Sequence, residues 1–414
     1  MKRRNITLAL SAFLLLGSSA YASESSDIQA LKQEVKELRE MTQILVDETS
    51  DLKTGFNYTV VDSKKSYNGL GAAASKVYYS KSPLSIGGYG EMYYSDTTTN
   101  NNTDKTTLDV YRFVPYIGYK FSDNIILNTE IEFEHGGVAN NGGTAEGGEV
   151  IVEFMYLDFL INKNANIRVG NMLMPIGLIN ERHEPTLFTT VQRPNTSKYL
   201  IPSTWHESGV MVYGDIIDNL SYKFTAVSAL QTGVNGSTWL RDGRGGSFKQ
   251  TDANLAFAAR VDYTGINGLL VGASAYSAPS VNGVSSTTNM YDVHLDYKNS
   301  GARVYGVYTQ TDRSDAAEIA TDAVEKAKGG YINFSYDILS LTSIKKQLPI
   351  FVQFESINPE QERANGTSGD DLDTTTVGVN YFPHEQVVLK FDYTMARQGA
   401  VDTDTASISM GFIF

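Results

Sequence analysis

Cysteine is absent from this 414-residue chain. Its absence excludes disulfides, thiolate metal sites and a thiol nucleophile, and suits an oxidising compartment. Tryptophan occurs only twice. No segment after the N-terminus forms an apolar run long enough for a membrane helix, and the mean hydropathy of −0.23 describes a chain that on average prefers water. A helical membrane protein is therefore excluded. Basic residues are also in deficit, 34 against 47 acids, which argues against nucleic acid as a partner. Catalytic signatures are lacking as well. The pairs His183-Glu184, His206-Glu207 and His384-Glu385 are followed, four residues beyond each His, by Leu187, Val210 and Val388, so no zinc-protease helix exists. There is no G-x-S-x-G elbow and no phosphate-binding loop. The run Asp370, Asp371, Asp373 reads as a solvated loop. The sequence thus offers no catalytic, metal or cofactor set, and a non-enzymatic protein is expected.

What is present begins with Lys2, Arg3 and Arg4, an apolar run from Ile6 to Gly17, and Ala20-Tyr21-Ala22. This is the pattern of a secretory signal peptide over 1–22, too short for an anchor, with a mature chain from Ser23. Removing its three bases leaves 31 against 47 acids. Over 23–54, Ile28, Leu31, Val35, Leu38, Thr42, Leu45, Thr49 and Leu52 alternate spacings of three and four. That narrow stripe in a charged background predicts an α-helical coiled coil. Residues 55–83, rich in Gly, Ser and Lys, show no sustained period and read as a linker.

From Leu84 to Phe414 alternating segments recur, each bounded by Gly, Asn, Asp or Pro. The spans are 84–94, 108–121, 125–135, 149–160, 166–174, 207–214, 219–229, 254–263, 268–277, 289–297, 301–311, 328–338, 349–357, 373–382, 387–396 and 405–414. Their connections alternate long and short: Ser95 to Thr107, then Ser122 to Asn124, then Gly136 to Gly148, then Ile161 to Ala165. Leu339 to Leu348, a long inner turn, is the one departure from that alternation. Short turns on one side and long loops on the other predict an all-β fold, a 16-stranded antiparallel transmembrane β-barrel, preceded by the coiled coil. A low mean hydropathy is compatible with it, because only alternate residues meet lipid. The 25 Tyr and 18 Phe suit membrane-interface positions near strand ends.

Parity assigns the faces. Leu127, Thr129, Ile131 and Phe133 lie on one side of the third strand, and Asn128, Glu130, Glu132 and Glu134 on the other. Charge facing hydrocarbon is destabilising, about 2–4 kcal/mol for Arg or Lys at the midplane and less for Glu, and three Glu on one parity add up, so the Glu row faces the lumen. The same rule makes Arg112, Glu153, Arg168, Lys223, Arg260, Arg303 and Lys390 pore-lining, together with Asp262, Asp292, His294, Asp296, Gln353, Glu355 and Asp392. The turn at Ser122–Asn124 puts Arg112 opposite Glu134 and predicts a cross-strand ion pair. The longest connection, Pro175 to His206, is a candidate constriction carrying Glu181, Arg182, His183, Glu184, Arg193 and Lys198. An extracellular lid or a latch on a neighbouring subunit is the other use of such a loop.

The stretches AASKVYYSKSPLSIGGYGEMYY, LDVYRFVPYIGYKFSDNIILNTEIEFEH and VGNMLMPIGLINERHEPTLFTTVQRPNTSKYLIPSTWHESGV resemble the phosphate-selective porin O and P family. The resemblance extends over most of 70–414. It implies a trimeric, sixteen-stranded, anion-preferring porin lined by ladders of Arg and clustered Lys. No run of closely spaced lumen Lys is found here. The terminal Phe414 resembles the signal read by the barrel-assembly machinery. The expected function is an outer-membrane channel for passive diffusion of small hydrophilic solutes and ions. The alternative is a structural anchor whose periplasmic coiled coil contacts the cell wall or another envelope protein. Expected partners are outer-membrane lipid and two further copies of the chain, with no nucleic acid and no cofactor.

Overall fold

The computed structural model describes residues 31–46, 61–101, 103–138, 147–231, 239–246, 249–250, 253–279 and 285–414. The chain divides into two units, Met1–Gly55 and Phe56–Phe414. In the first, residues 31–46 form a helix, α1, on which Leu31, Val35, Leu38 and Leu45 are exposed. The signal segment and the seam positions Ile28, Thr49 and Leu52 lie outside the described residues.

The second unit is a closed barrel in which every strand pairs antiparallel with its sequence neighbours and the first pairs with the last. The strands are β1 (Leu84–Thr99), β2 (Lys105–Ser122), β3 (Ile125–Glu134), β4 (Val150–Leu160), β5 (Asn166–Leu173), β6 (His206–Ile217), β7 (Leu220–Ser228) and β8 (Leu255–Tyr263). The second half comprises β9 (Leu269–Pro279), β10 (Thr287–Asn299), β11 (Ala302–Arg313), β12 (Val324–Asp337), β13 (Pro349–Arg363), β14 (Leu372–His384), β15 (Val387–Gln398) and β16 (Val401–Ile413). Closure leaves no unpaired edge, the condition for backbone at membrane depth.

All sixteen expected segments form strands, and several run further at the long-loop end. The expected loop 95–107 shrinks because Ser95 to Thr99 continue to pair with Thr403 to Ser407 on one side, and Ser95 to Thr97 with Lys105 to Thr107 on the other. This stretch is polar on both faces, so hydropathy marks a loop there. Its threonines retain the β-branched preference for a pleated ribbon.

Alternation is regular where the wall is simplest. In β8, Ala256, Ala258, Arg260 and Asp262 are buried while Leu255, Phe257, Val261 and Tyr263 face outward. Phe224, Val293, Phe354, Leu389 and Phe391 continue the apolar exterior. Tyrosine departs from expectation. Tyr89, Tyr116, Tyr156, Tyr213, Tyr276, Tyr305 and Tyr331 are buried in the lumen, where the rings fill space and the hydroxyls of Tyr156, Tyr213, Tyr276 and Tyr305 find polar partners.

The linker reading of 55–83 also fails over its described part. Within 61–83 a helix α2 (Ala72–Tyr79) packs against β1, β2 and β3, while Asp62, Lys64, Lys65 and Lys81 remain exposed. Val61, Leu70, Ala72, Ala73, Ala74 and Val77 are buried against the wall residues Tyr89, Tyr116, Phe154 and Tyr156. Small alanines let the helix approach closely: Asn128 Nδ2 donates to Ala74 O at 2.8 Å, and Tyr78 OH lies 3.2 Å from Tyr156 OH and donates to Asp158. A helix α3 (Trp239–Asp242) packs in the upper lumen.

Candidate pore constriction

The long connection between β5 and β6 folds into the lumen rather than over its mouth. Asn180 ties its neck: its Nδ2 donates to Met174 O and Trp205 O, both at 2.8 Å, and its Oδ1 accepts from Trp205 N at 2.8 Å. Met174, Ile176, Leu178, Ile179, Phe188, Leu200, Ile201 and Trp205 then form a small core inside the barrel with Trp239 and Leu240 of α3. Backbone entering a lumen must find partners for its N–H and C=O groups, and the wall supplies them. Asp292 of β10 accepts from Gly177 N at 3.0 Å, and Arg260 of β8 donates to Gly177 O. Tyr305 of β11 accepts from Thr189 N at 3.1 Å, and Asn333 of β12 donates to Thr189 Oγ1 at 2.7 Å. Asp392 of β15 accepts from Val191 N at 2.6 Å while Lys390 donates to Thr190 O at 2.9 Å. Glu355 of β13 takes four donors, Asn195 N and Nδ2 at 3.0 and 3.1 Å and Thr196 N and Oγ1 at 2.6 and 2.7 Å.

The loop also holds α2. Glu184 Oε1 accepts from Ala73 N at 2.9 Å and Ala74 N at 3.1 Å, the free donors of the helix's first turn. Burial nevertheless pushes the Glu184 carboxyl up to about 7. A Cβ at Gly71 would stand 2.2 Å from Glu184 Oε1 and displace that carboxylate from the helix's first turn.

The expected pore-lining residues all fall on the inner face, but mostly in ion pairs. Arg112 is opposite Glu134 in register, as parity required. Its guanidinium turns instead to Glu91 at 3.6 Å and Glu132 at 3.5 Å, because Glu91 is its neighbour on the other strand and both acids are buried beside it. Glu134 is half-buried. Arg168 makes a bidentate pair with Asp158, at 2.8 and 2.9 Å, and lies over the Tyr156 ring. Lys223 meets Glu181 at 2.5 Å, Arg260 meets Asp262 at 2.7 Å, and Arg303 meets Asp296 at 2.9 Å. Among the loop residues, Arg182 reaches Asp296 at 3.4 Å, His183 lies 3.1 Å from Glu130 and 3.8 Å from Glu153, and Arg193 Nη2 donates to His183 O at 3.4 Å. Lys198 is half-buried, its amine over the Tyr199 ring.

At the short-turn end the lumen opens into a vestibule of about 1230 Å³, bordered by Arg182, Lys223, Asp262, Asp296 and Lys298, with Tyr67, Asn68 and Tyr213. Sequence reading missed Asp158, Asn180, Lys298 and the whole α2 segment. Lys298 continues the inward parity of Asp292, His294 and Asp296, whereas Asp158 has the opposite parity to Glu153 and both face inward only because β4 shifts register at Glu153 and Phe154, both buried. Asn180 carried no local signal.

A closed sixteen-stranded barrel with an apolar exterior and its longest loop turned inward is the transmembrane architecture of porins. Solved structures with this fold include Salmonella typhi OmpF in complex with daunomycin (TM-score 0.56, 13% identity, covering 80% of this chain and 97% of that one). Others are the anion-selective porin from Comamonas acidovorans (0.54, 10%, 80% and 99%) and the trimer form of in-vitro folded OmpT of Vibrio cholerae (0.53, 12%, 80% and 100%). At such identities the likeness is one of fold. No protein-family model matches the sequence. The chain belongs to the same family as an uncharacterized protein of Aquifex aeolicus (strain VF5), 32% identical over 357 residues that cover 80% of each.

Proposed function

We propose that the chain forms a channel in the Gram-negative outer membrane through which small hydrophilic solutes and ions diffuse passively, with a preference for anions. The constricting loop supports the channel reading, since it narrows the lumen while leaving a charged vestibule below it. The anion preference rests on which charges reach water at the inner end of the vestibule, since its outer rim carries the exposed acids Asp123 and Asp218 and the half-exposed Asp215 beside Lys163. Arg182, Lys298 and Arg303 share Asp296, and their side chains are 19%, 50% and 15% exposed whereas that of Asp296 is 4% exposed. The acids of the upper lumen, Glu130, Glu132 and Glu153, are sealed at 0–1% exposure and present little field to a solute. The porin O and P resemblance and the Comamonas neighbour agree with an anion path, and phosphate is one candidate solute.

Homotrimers are part of the proposal, supported by the trimeric Vibrio neighbour and by the exposed apolar stripe of α1. Outer-membrane lipid on the exterior and recognition of Phe414 by the assembly machinery complete it. The deciding measurement is the reversal potential in a KCl gradient across a planar bilayer. Wild type should favour chloride, and Arg182→Gln with Lys298→Gln should move the potential toward zero. A cation preference untouched by those changes refutes the anion path. Absence of any conductance from folded protein favours the structural-anchor alternative.

A further inference from the structure

Among the buried polar groups of the lumen that lack a hydrogen-bond partner are atoms of two carboxylates, which meet an imidazole where β3, β4 and the constricting loop converge. We propose that Glu130, Glu153 and His183 bind one divalent transition-metal ion, with zinc, manganese, iron(II) or cobalt as the fitting class. One donor atom from each residue lies within 4.8 Å of the others. His183 Nε2 stands 3.1 Å from Glu130 Oε1 and 3.8 Å from Glu153 Oε2. Bonds of about 2.0–2.1 Å in tetrahedral geometry place neighbouring donors about 3.4 Å apart, midway between those values.

Two further observations point to a ligand. Glu130 and Glu153 are both 0% exposed, and Glu130 Oε2 and both oxygens of Glu153 find no hydrogen-bond donor among the described residues. Two buried carboxylates without donors are costly unless a cation stands between them. Two guanidiniums lie nearby, but Arg112 is committed to Glu91 and Glu132 and Arg193 donates to His183 O, and neither forms an ion pair with Glu130 or Glu153. Second, His183 Nδ1 is 2.8 Å from Asn180 O. A carbonyl only accepts, so Nδ1 carries the hydrogen and the Nε2 lone pair is turned toward the carboxylates. An outer hydrogen bond of that kind is what fixes a metal-binding imidazole.

A proton shared by the two carboxylates would leave Nε2 facing oxygen, and a proton on Nε2 would leave the carboxylates facing each other. A dication satisfies all three at once. Calcium is disfavoured because it takes six to eight oxygen ligands; one imidazole and two carboxylates suit the borderline metals. The ion would join the loop to β3 and β4, on the side of the lumen away from the Glu355 latch.

Full-length folded protein in detergent, stripped with EDTA and titrated with Co²⁺, tests this. About one equivalent per chain is expected, displaceable by Zn²⁺, with visible absorption and pulsed EPR coupling to one imidazole nitrogen. His183→Gln, which alters the loop and no strand, and Glu153→Gln should each weaken binding at least about ten-fold. Heat-dependent gel mobility selects the variants that still fold. Binding below about 0.1 equivalent by wild type, no nitrogen coupling, or wild-type affinity in either folded variant overturns the site. The wild-type stoichiometry and coupling decide the matter even if neither variant folds.

Discussion

Replacing Glu355 by Ala releases the far end of the constricting loop. Its carboxylate accepts from two backbone N–H groups, those of Asn195 and Thr196, and also takes the Asn195 amide and the Thr196 hydroxyl. Leaving a buried N–H without a partner costs about 1–3 kcal/mol, so the two together weaken loop docking by about 2–6 kcal/mol. At 1.4 kcal/mol per decade the undocked population rises at least roughly 25-fold. The loop's neck at Asn180 and its contacts to Asp292 and Asp392 are untouched, so the barrel should still fold and keep its heat-dependent gel mobility. Single-channel records in planar bilayers should show more frequent and larger openings. Glu355→Gln keeps one oxygen and should fall between Ala and wild type. Records of folded Glu355→Ala indistinguishable from wild type would refute the assignment of this loop as the constriction.

Val293→Arg, on the exposed outer face of β10, should cost about 2–4 kcal/mol if it meets the bilayer midplane; equilibrium urea unfolding in lipid vesicles measures it, and a neutral effect would contradict the facing. Burial brings the Lys76 amine of α2 down to about 8. The released segment therefore holds more protons than the docked one between about pH 8 and the usual lysine range, so raising pH through that window should tighten docking and make openings rarer; openings that increase with pH would oppose it. Deleting residues 27–54 should leave single-channel conductance intact and abolish trimers on a native gel; trimers that persist would move assembly to the barrel.

Much of this protein was decided by local pattern. A period of two, with charge on one parity, determined the strands and which side of each meets lipid, because only the lumen tolerates Glu130, Arg260 or Asp392 in a membrane barrel. The alternation of turn lengths gave the topology, since closure pairs each strand with its neighbour in sequence. Arg112 does stand opposite Glu134, although Ser122 pairs with Ile125 across a two-residue turn and an irregularity between Lys120 and Ser122 restores the expected register.

What the pattern left open is everything that crosses the lumen. Arg112 chose Glu91 and Glu132 because those groups share its side of a curved wall. The segment 61–83 lost its linker character because α2 found a lining of tyrosines contributed by distant strands. His183, Glu130 and Glu153, separate in sequence, came together only when the loop folded inward. Strand facing is a property of one chain segment and its solvent, whereas the constriction and the candidate metal site depend on contacts between residues far apart in sequence, which exist only once the barrel has closed.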